Sequence, residues 1–227
     1  MSDKVAATPL DIPVGDSGSV SGLLILPKGA RVLYVLAHGA GAGMRHPFLE
    51  RIAAVLAERG VASLRYQFLY MERKQHRPDP PAVAVAAVQA AVTAAGRAAP
   101  GLPLIAGGKS FGGRMTSTAQ SQAPLPGVRG LAFLGFPLHP PGKPAVSRAD
   151  HLEQVEVPML FLQGDRDEFA EPILLRQVLR KLGPGATLHV VKDGDHSFNV
   201  PKRGSRTPDA VQAELADTLV HWWERVA

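Results

Sequence analysis

Short, uninterrupted runs of apolar residues alternate along the chain with longer segments in which apolar residues recur every three or four positions. The runs are typical of buried β-strands, and the longer segments are typical of amphipathic helices. The predicted strands lie within residues 20–27, 32–39, 61–66, 102–108, 128–137, 157–165 and 186–198. The predicted helices lie within residues 46–60, 82–99, 112–122, 170–183 and 207–226. Strands that are apolar throughout must be covered on both faces, so the pattern predicts an α/β protein with a mostly parallel central sheet and helices on both faces.

Helix ends are marked by residues with known positional preferences. Pro47 and Pro208 are expected at first helical positions, Thr207 is expected to cap the last helix, and Gly60 is expected just after the end of the first. The first predicted strand, 20–27, is expected to run antiparallel at the edge of the sheet.

The chain shows no internal repeat, no long linker and no shift in composition, so a single domain spanning residues 1–227 is predicted. The two sizeable irregular segments, 66–81 and 136–151, both follow strands. They are therefore expected at the carboxyl edge of the sheet, where open α/β sheets bind their ligands.

Composition narrows the function. The absence of cysteine excludes disulfides, cysteine nucleophiles and thiolate metal sites. The net charge of +5 is modest, and the basic cluster at 72–78 has no interleaved aromatic residues, so nucleic acid is not an expected partner. No spacing of histidines and carboxylates suggests a metal site, and no cofactor is expected. Neither a membrane-spanning run of about 18 to 20 apolar residues nor a secretory signal is recognisable, so a cytoplasmic location without membrane contact is expected.

The stretch LPLIAGGKSFGGRM, residues 102–115, allows two interpretations. Gly108-Lys109-Ser110 could end a phosphate-binding loop, with a nucleotide as ligand. That motif, however, requires a glycine where this chain has Pro103, and the residues between look like a strand. Gly108-Lys109-Ser110-Phe111-Gly112 instead has the Gly-x-Ser-x-Gly pattern of a nucleophile elbow, a sharp strand-to-helix turn that exposes its serine. The pattern favours Ser110 as a nucleophile.

A serine nucleophile needs a histidine base and an acid that orients it, and in this architecture both come later in the chain. His196 follows the last predicted strand in a polar loop, whereas His189 within that strand and His221 in the final helix suit structural roles. For the acid, Asp165 and Asp167 both follow a buried strand. Asp167 is preferred because it lies further into the loop and can reach across to a histidine.

The order of these motifs resembles that of the α/β-hydrolase superfamily. Gly-x-Ser-x-Gly at 108–112 is followed by Gly-x-x-Asp at 164–167 and by Gly-Asp-His-Ser-Phe at 194–198. Residues 38–48, HGAGAGMRHPF, are similar to the His-Gly turn of that fold. The resemblance covers nearly the whole chain and implies an α/β-hydrolase fold.

Three of the segments are similar to one small, uncapped branch of the superfamily. They are GKSFGGRM at 108–115, GFPLHPPGKP at 135–144 and QGDRDEF at 163–169. The branch contains predicted bacterial hydrolases related to dienelactone-hydrolase-like enzymes, and a eukaryotic relative is a subunit of a histone acetyltransferase complex. Lys109 departs from the wider superfamily but suits this branch.

The resemblance implies a role for each site residue. Ser110 would be the nucleophile, His196 the base and Asp167, in preference to Asp165, the orienting acid. The implied oxyanion-hole donors are the backbone N–H of Phe111 and that of Ala40 or Gly41. His38 is expected to hydrogen-bond its own turn rather than to act as a second base.

The sequence thus predicts a serine hydrolase that cleaves a small ester or lactone through an acyl-enzyme, as a monomer or homodimer. The connection between strands 128–137 and 157–165 is too short for a helical lid, so an open site is expected. The main alternative is a non-catalytic protein-binding module on the same fold. Nucleotide binding at Lys109 is a third. The acyl group stays open, with thioesters and peptides as further candidates.

Overall fold

The computed structural model describes residues 6–201, 203 and 206–227, and within them eight strands form one sheet. The strands are β1 (Thr8–Pro13), β2 (Ser19–Ile25), β3 (Val32–Ala37), β4 (Val61–Tyr66), β5 (Leu104–Lys109), β6 (Val128–Leu134), β7 (Met159–Gly164) and β8 (Ala186–Val191). The α-helices are α1 (Pro47–Ala57), α2 (Leu69–Glu72), α3 (Pro81–Ala98), α4 (Phe111–Gln122), α5 (Pro172–Leu182) and α6 (Pro208–Val226). Short 3₁₀ segments occur at Gly15–Ser17, Ser147–Gln154 and Gly183–Gly185.

The strand order is β1-β2-β4-β3-β5-β6-β7-β8, and all neighbours from β4 to β8 pair in parallel. Strand β2 is antiparallel to both β1 and β4. The predicted mostly parallel sheet is therefore confirmed.

Strand β3 shows why the apolar runs have no polar alternation. Leu33 and Val35 point into one core, which α3, α4 and α5 cover, whereas Tyr34 and Leu36 point into a second core under α1 and α6. All four side chains are buried because a parallel sheet is covered on both faces.

The prediction for the first strand was half right. Strand β2 is antiparallel, but it does not lie at the edge, because β1 pairs along its outer side from Thr8 opposite Leu24 to Pro13 opposite Ser19. Strand β1 was not predicted, because Ile12 is its only fully buried residue and two of its six positions are proline. Proline is tolerated at a sheet edge, where its missing N–H breaks no ladder.

Helix starts agree with the sequence. Helices α1 and α6 begin at Pro47 and Pro208, and Thr207 Oγ1 accepts a hydrogen bond from Ala210 N at 3.1 Å. Gly60, which follows the end of α1, has a φ of 73°, a conformation that glycine adopts without strain.

Helix α3 is long and apolar enough to cross a membrane by length and composition alone. A core helix meets the same two criteria, and α3 packs against β1, β3, β4, β5 and α4. Its fully buried positions are alanines and valines, which let it lie close to the sheet.

Candidate active site

Ser110 occupies a strained turn between β5 and α4. Its φ is 51° and its ψ is −115°, a region that costs a non-glycine residue about 1 to 3 kcal/mol. The turn is tied to the end of the neighbouring strand β6, since Ser110 N donates a hydrogen bond to Leu134 O at 3.2 Å. The strand-turn-helix context that a nucleophile elbow requires is present.

The two glycines of the pentapeptide stand where the elbow touches β3. A Cβ built on Gly108 would lie 2.2 Å from Ala37 O, and one on Gly112 would lie 2.5 Å from His38 O. Neither position has room for a side chain. The glycines therefore permit the contact with β3 that presents Ser110 at the carboxyl edge of the sheet.

Ser110, His196 and Asp167 form one chain of hydrogen bonds. His196 Nε2 lies 2.8 Å from Ser110 Oγ, and His196 Nδ1 lies 2.7 Å from Asp167 Oδ2. Because a carboxylate can only accept, Nδ1 carries the proton and Nε2 accepts from the serine hydroxyl. The structure thus brings together the three side chains selected from the sequence.

The carboxylate in this series of hydrogen bonds belongs to Asp167, whereas Asp165 is exposed and takes no part in it. The Asp167 side chain is 0% exposed, and its oxygens also accept from Gln163 Nε2 at 2.5 Å and from Phe169 N at 2.8 Å. Sequence reasoning missed Gln163. A polar residue in the otherwise apolar strand MLFLQG was the available signal.

The loop that carries His196 is stabilised by hydrogen bonds to Asp195 and by a close backbone contact with the end of β7. The carboxylate of Asp195 accepts from Ser197 N, Asn199 N and Asn199 Nδ2 at 2.8 to 3.0 Å. At the base of the loop a Cβ on Gly164 would lie 2.1 Å from Gly194 O, so the loops after β7 and β8 are in close contact. This contact brings Asp167 within reach of His196.

The structure separates the two candidates for the second oxyanion donor. Gly41 N already donates to Tyr70 Oη at 2.8 Å. Among the described residues Ala40 N has no such acceptor, and Ala40 lines the same cavity as Ser110 whereas Gly41 does not. Phe111 begins α4, so its N–H has no acceptor within the helix. Phe111 and Ala40 are the better-placed pair.

His38 supports the loop that carries Ala40. Its Nδ1 donates to Gly39 O at 2.7 Å, and its Nε2 accepts from Phe68 N at 3.2 Å. The imidazole is fully buried between these partners, in the scaffold position expected from the sequence. Burial lowers the pKa of His38 from 6.5 to about 4.

This shift predicts an acid-sensitive stability. Between pH 6.5 and about 4, His38 is protonated in the unfolded chain but not in the folded chain. The free energy of unfolding therefore decreases as the pH falls through this window. At about 1.4 kcal/mol per pKa unit, the loss reaches about 3 kcal/mol near pH 4. Urea unfolding at pH 7, 5.5 and 4.5 should show the decline, and His38→Asn should flatten it. The exposed His76→Asn serves as control, and an equal pH slope in both variants would contradict the assignment.

A cavity of about 590 Å³ opens beside Ser110 and His196. Its walls include apolar side chains, among them Phe48 and Phe198, whose rings stack at 5.7 Å. Phe169 lies against the imidazole, with ring centroids 4.2 Å apart. The space can accommodate a small ligand next to the serine hydroxyl.

Comparison with known families agrees with this architecture. The family model described as "Alpha/beta hydrolase domain" matches residues 30–224, and the chain therefore belongs to the α/β hydrolase domain family. The expected α/β-hydrolase fold is confirmed.

Solved structures share the fold over nearly their whole length. A dienelactone hydrolase from Anabaena variabilis is 20% identical with a TM-score of 0.77, over 98% of this chain and 99% of that one. A serine hydrolase without a lid from Xanthomonas campestris is 21% identical with a TM-score of 0.73, over 96% and 95%. Est1E from Butyrivibrio proteoclasticus is 16% identical with a TM-score of 0.70, over 95% and 99%. At such identities the similarity is one of fold.

Proposed function

We propose that the protein is a serine hydrolase that cleaves a small ester or lactone through an acyl-enzyme. The observation that carries this proposal is the hydrogen-bonded chain from Ser110 through His196 to Asp167, with the serine on a strained elbow. A serine hydroxyl becomes a useful nucleophile only when a base accepts its proton and a third group orients that base. The hydrogen bonds from Ser110 to His196 and from His196 to Asp167 support both requirements.

The reaction would proceed in two halves. Ser110 Oγ attacks the carbonyl carbon while His196 Nε2 takes the hydroxyl proton, and the imidazolium then protonates the leaving alkoxide. Water, activated by the same imidazole, releases the acid from Ser110. Throughout, Asp167 holds the imidazole tautomer and stabilises its charged form.

Charge on the carbonyl oxygen would be met by the N–H groups of Phe111 and Ala40. Removal of one such donor typically costs about 3 to 4 kcal/mol of transition-state stabilisation. Tyr70 would contribute to the oxyanion hole indirectly. Its hydroxyl accepts a hydrogen bond from Gly41 N and so holds the loop that carries Ala40 in place.

Two features support a small acyl substrate. The cavity is bounded by Phe48, Leu49 and Phe198, which suit an apolar group, and its volume of about 590 Å³ is in the range of small-molecule sites. Proteins of this fold include a dienelactone hydrolase and an esterase from Rhodothermus marinus, which act on esters or lactones by name.

Labelling with a fluorophosphonate probe tests the proposal, because such probes react with activated serines. Purified protein is expected to be labelled, and both Ser110→Ala and His196→Ala should abolish labelling. Ser121→Ala is the matched control, since this serine lies on α4 and, among the residues that the structure describes, its Oγ bonds only to Thr118 O at 2.9 Å. That variant should be labelled like the wild type.

Failure to label the folded wild-type chain would contradict the hydrolase and favour the alternative, a protein-binding module. Labelling that persists in Ser110→Ala would contradict the assignment of the nucleophile.

A further inference from the structure

Lys109 is a buried cation beside the proposed active site, and the mechanism above does not use it. It is the last residue of β5 and directly precedes Ser110. Its Nζ is inaccessible to solvent and has no hydrogen-bond partner among the described residues. The same nitrogen lies 5.7 Å from the centroid of the Phe198 ring.

Lys109 Nζ is also a neighbour of the His196 imidazole. A Cβ built on Gly135 would lie 3.1 Å from Lys109 Nζ and 3.4 Å from His196 Nδ1. The two nitrogens thus border one small space, which the missing side chain of Gly135 leaves open. Because Lys109 Nζ is shielded from solvent, a charge on it is less screened by water than a surface charge is.

Lys109 is nevertheless charged at neutral pH. Burial lowers its pKa from 10.5 to about 8, and the carboxylates of Asp167 and Asp195 oppose that shift. Nearby opposite charges favour the ammonium, although neither carboxylate bonds to it. Below about pH 8 a positive charge therefore stands close to His196.

Other charged groups near this space are compensated or solvated. Arg51 lines the cavity but is half exposed and lies 3.8 Å from Asp209, and Asp195 is hydrogen-bonded within its own loop. His38 is uncharged at neutral pH because burial lowers its pKa to about 4. The loops after β7 and β8 carry further titratable side chains, of which Asp165, Arg166, Glu168 and Lys192 are exposed and Asp193 is half-buried, and His46 before α1 is exposed.

A positive charge next to an imidazole disfavours its protonated form. A general base works only while it is neutral. A neighbouring positive charge that opposes its protonation therefore extends the pH range in which the base works toward acid. We propose that Lys109 is a positioning residue whose ammonium keeps His196 in its neutral, proton-accepting form and so extends hydrolysis to lower pH. The effect on hydrolysis rests on the proposed function, whereas the effect on His196 protonation does not.

The direct test is a ¹⁵N NMR titration of the histidine rings in the wild type and in Lys109→Met, which keeps the length of the side chain without its charge. His196 signals are assigned by their loss in His196→Ala. We expect the His196 ring to take up its proton at a higher pH in Lys109→Met than in the wild type, because a neighbouring positive charge, which disfavours the imidazolium, is gone. Lys109→Arg should titrate like the wild type, and so should Lys143→Met, which removes an exposed lysine.

The catalytic consequence is measured as kcat/KM for 4-nitrophenyl acetate between pH 5 and 10. The ratio of the value for Lys109→Met to that for the wild type should fall several-fold from pH 9 to the acid limb, because only the charged form of Lys109 opposes protonation of the base. A merely structural role would change the rate by the same factor at every pH.

The outcomes separate the two proposals. An unchanged His196 titration in Lys109→Met overturns the role of Lys109, whether or not the protein hydrolyses esters. A shifted titration in a chain that fluorophosphonate does not label contradicts the hydrolase instead, because it leaves the charge effect intact and the reaction absent.

Discussion

Ser110→Ala and His196→Ala are each expected to lower kcat/KM for 4-nitrophenyl acetate by roughly 10⁴- to 10⁶-fold, and the double variant should lose no more than the worse single variant. The first change removes the attacking atom, and the second removes the acceptor 2.8 Å from it. Because the two groups act in one step of the proposed mechanism, loss of either removes the contribution of the other. Steady-state and single-turnover kinetics on all three variants measure the effect.

Thermal unfolding provides the control for these variants. Ser110→Ala retains the backbone of the elbow and should melt close to the wild type, because its side chain contributes one partly buried hydrogen bond. Losses that add up in the double variant would mean that Ser110 and His196 act in separate steps. This result would contradict the proposed mechanism even if each single variant were slow.

Gly108→Ala is expected to destabilise the fold by more than about 3 kcal/mol, the range reached by steric strain in a packed interior. The new Cβ would lie 2.2 Å from Ala37 O, and the backbone contact cannot be relieved by rotating a side chain. In addition, the φ of Gly108 is 141°, a conformation that alanine rarely adopts. Chemical denaturation measures the change in the free energy of unfolding.

Gly96→Ala is the matched control for this substitution. Gly96 lies near the exposed end of α3, and a Cβ there meets no atom within 4 Å. Alanine should raise the stability there by about 0.5 to 1 kcal/mol, because it restricts the unfolded chain and favours the helix. Equal effects of the two substitutions would contradict the assignment of Gly108 to a contact that excludes every side chain.

Much of the fold could be predicted because its signals are local. Buried parallel strands must be apolar throughout, and the starts of α1 and α6 need only a proline in place, with a threonine cap for the second. Strand β1 was missed because a solvent-exposed edge strand needs little apolar character and tolerates proline. Its position outside β2 follows from pairing along the whole strand, which no short pattern records.

In the candidate site, too, some features could be predicted from local sequence and others could not. The spacing of Gly108, Ser110 and Gly112 predicts an elbow because only glycine fits beside β3. By contrast, the sequence left the choice between Ala40 and Gly41 open. That choice depends on Tyr70, whose hydroxyl lies 2.8 Å from Gly41 N although Gly41 follows β3 and Tyr70 belongs to α2.

The sequence by itself determined where strands and helices alternate, where the chain turns at Ser110, and which serine, histidine and aspartate were worth testing together. These features depend on backbone conformation and burial, which residue types specify over a few neighbouring positions. Only the tertiary structure decided that Asp167 is buried and Asp165 exposed, that Gln163 bonds to the acid, and that Lys109 lies beside His196. These contacts depend on distances between segments far apart in the chain, and such distances are set by the packing of the whole sheet and its helices.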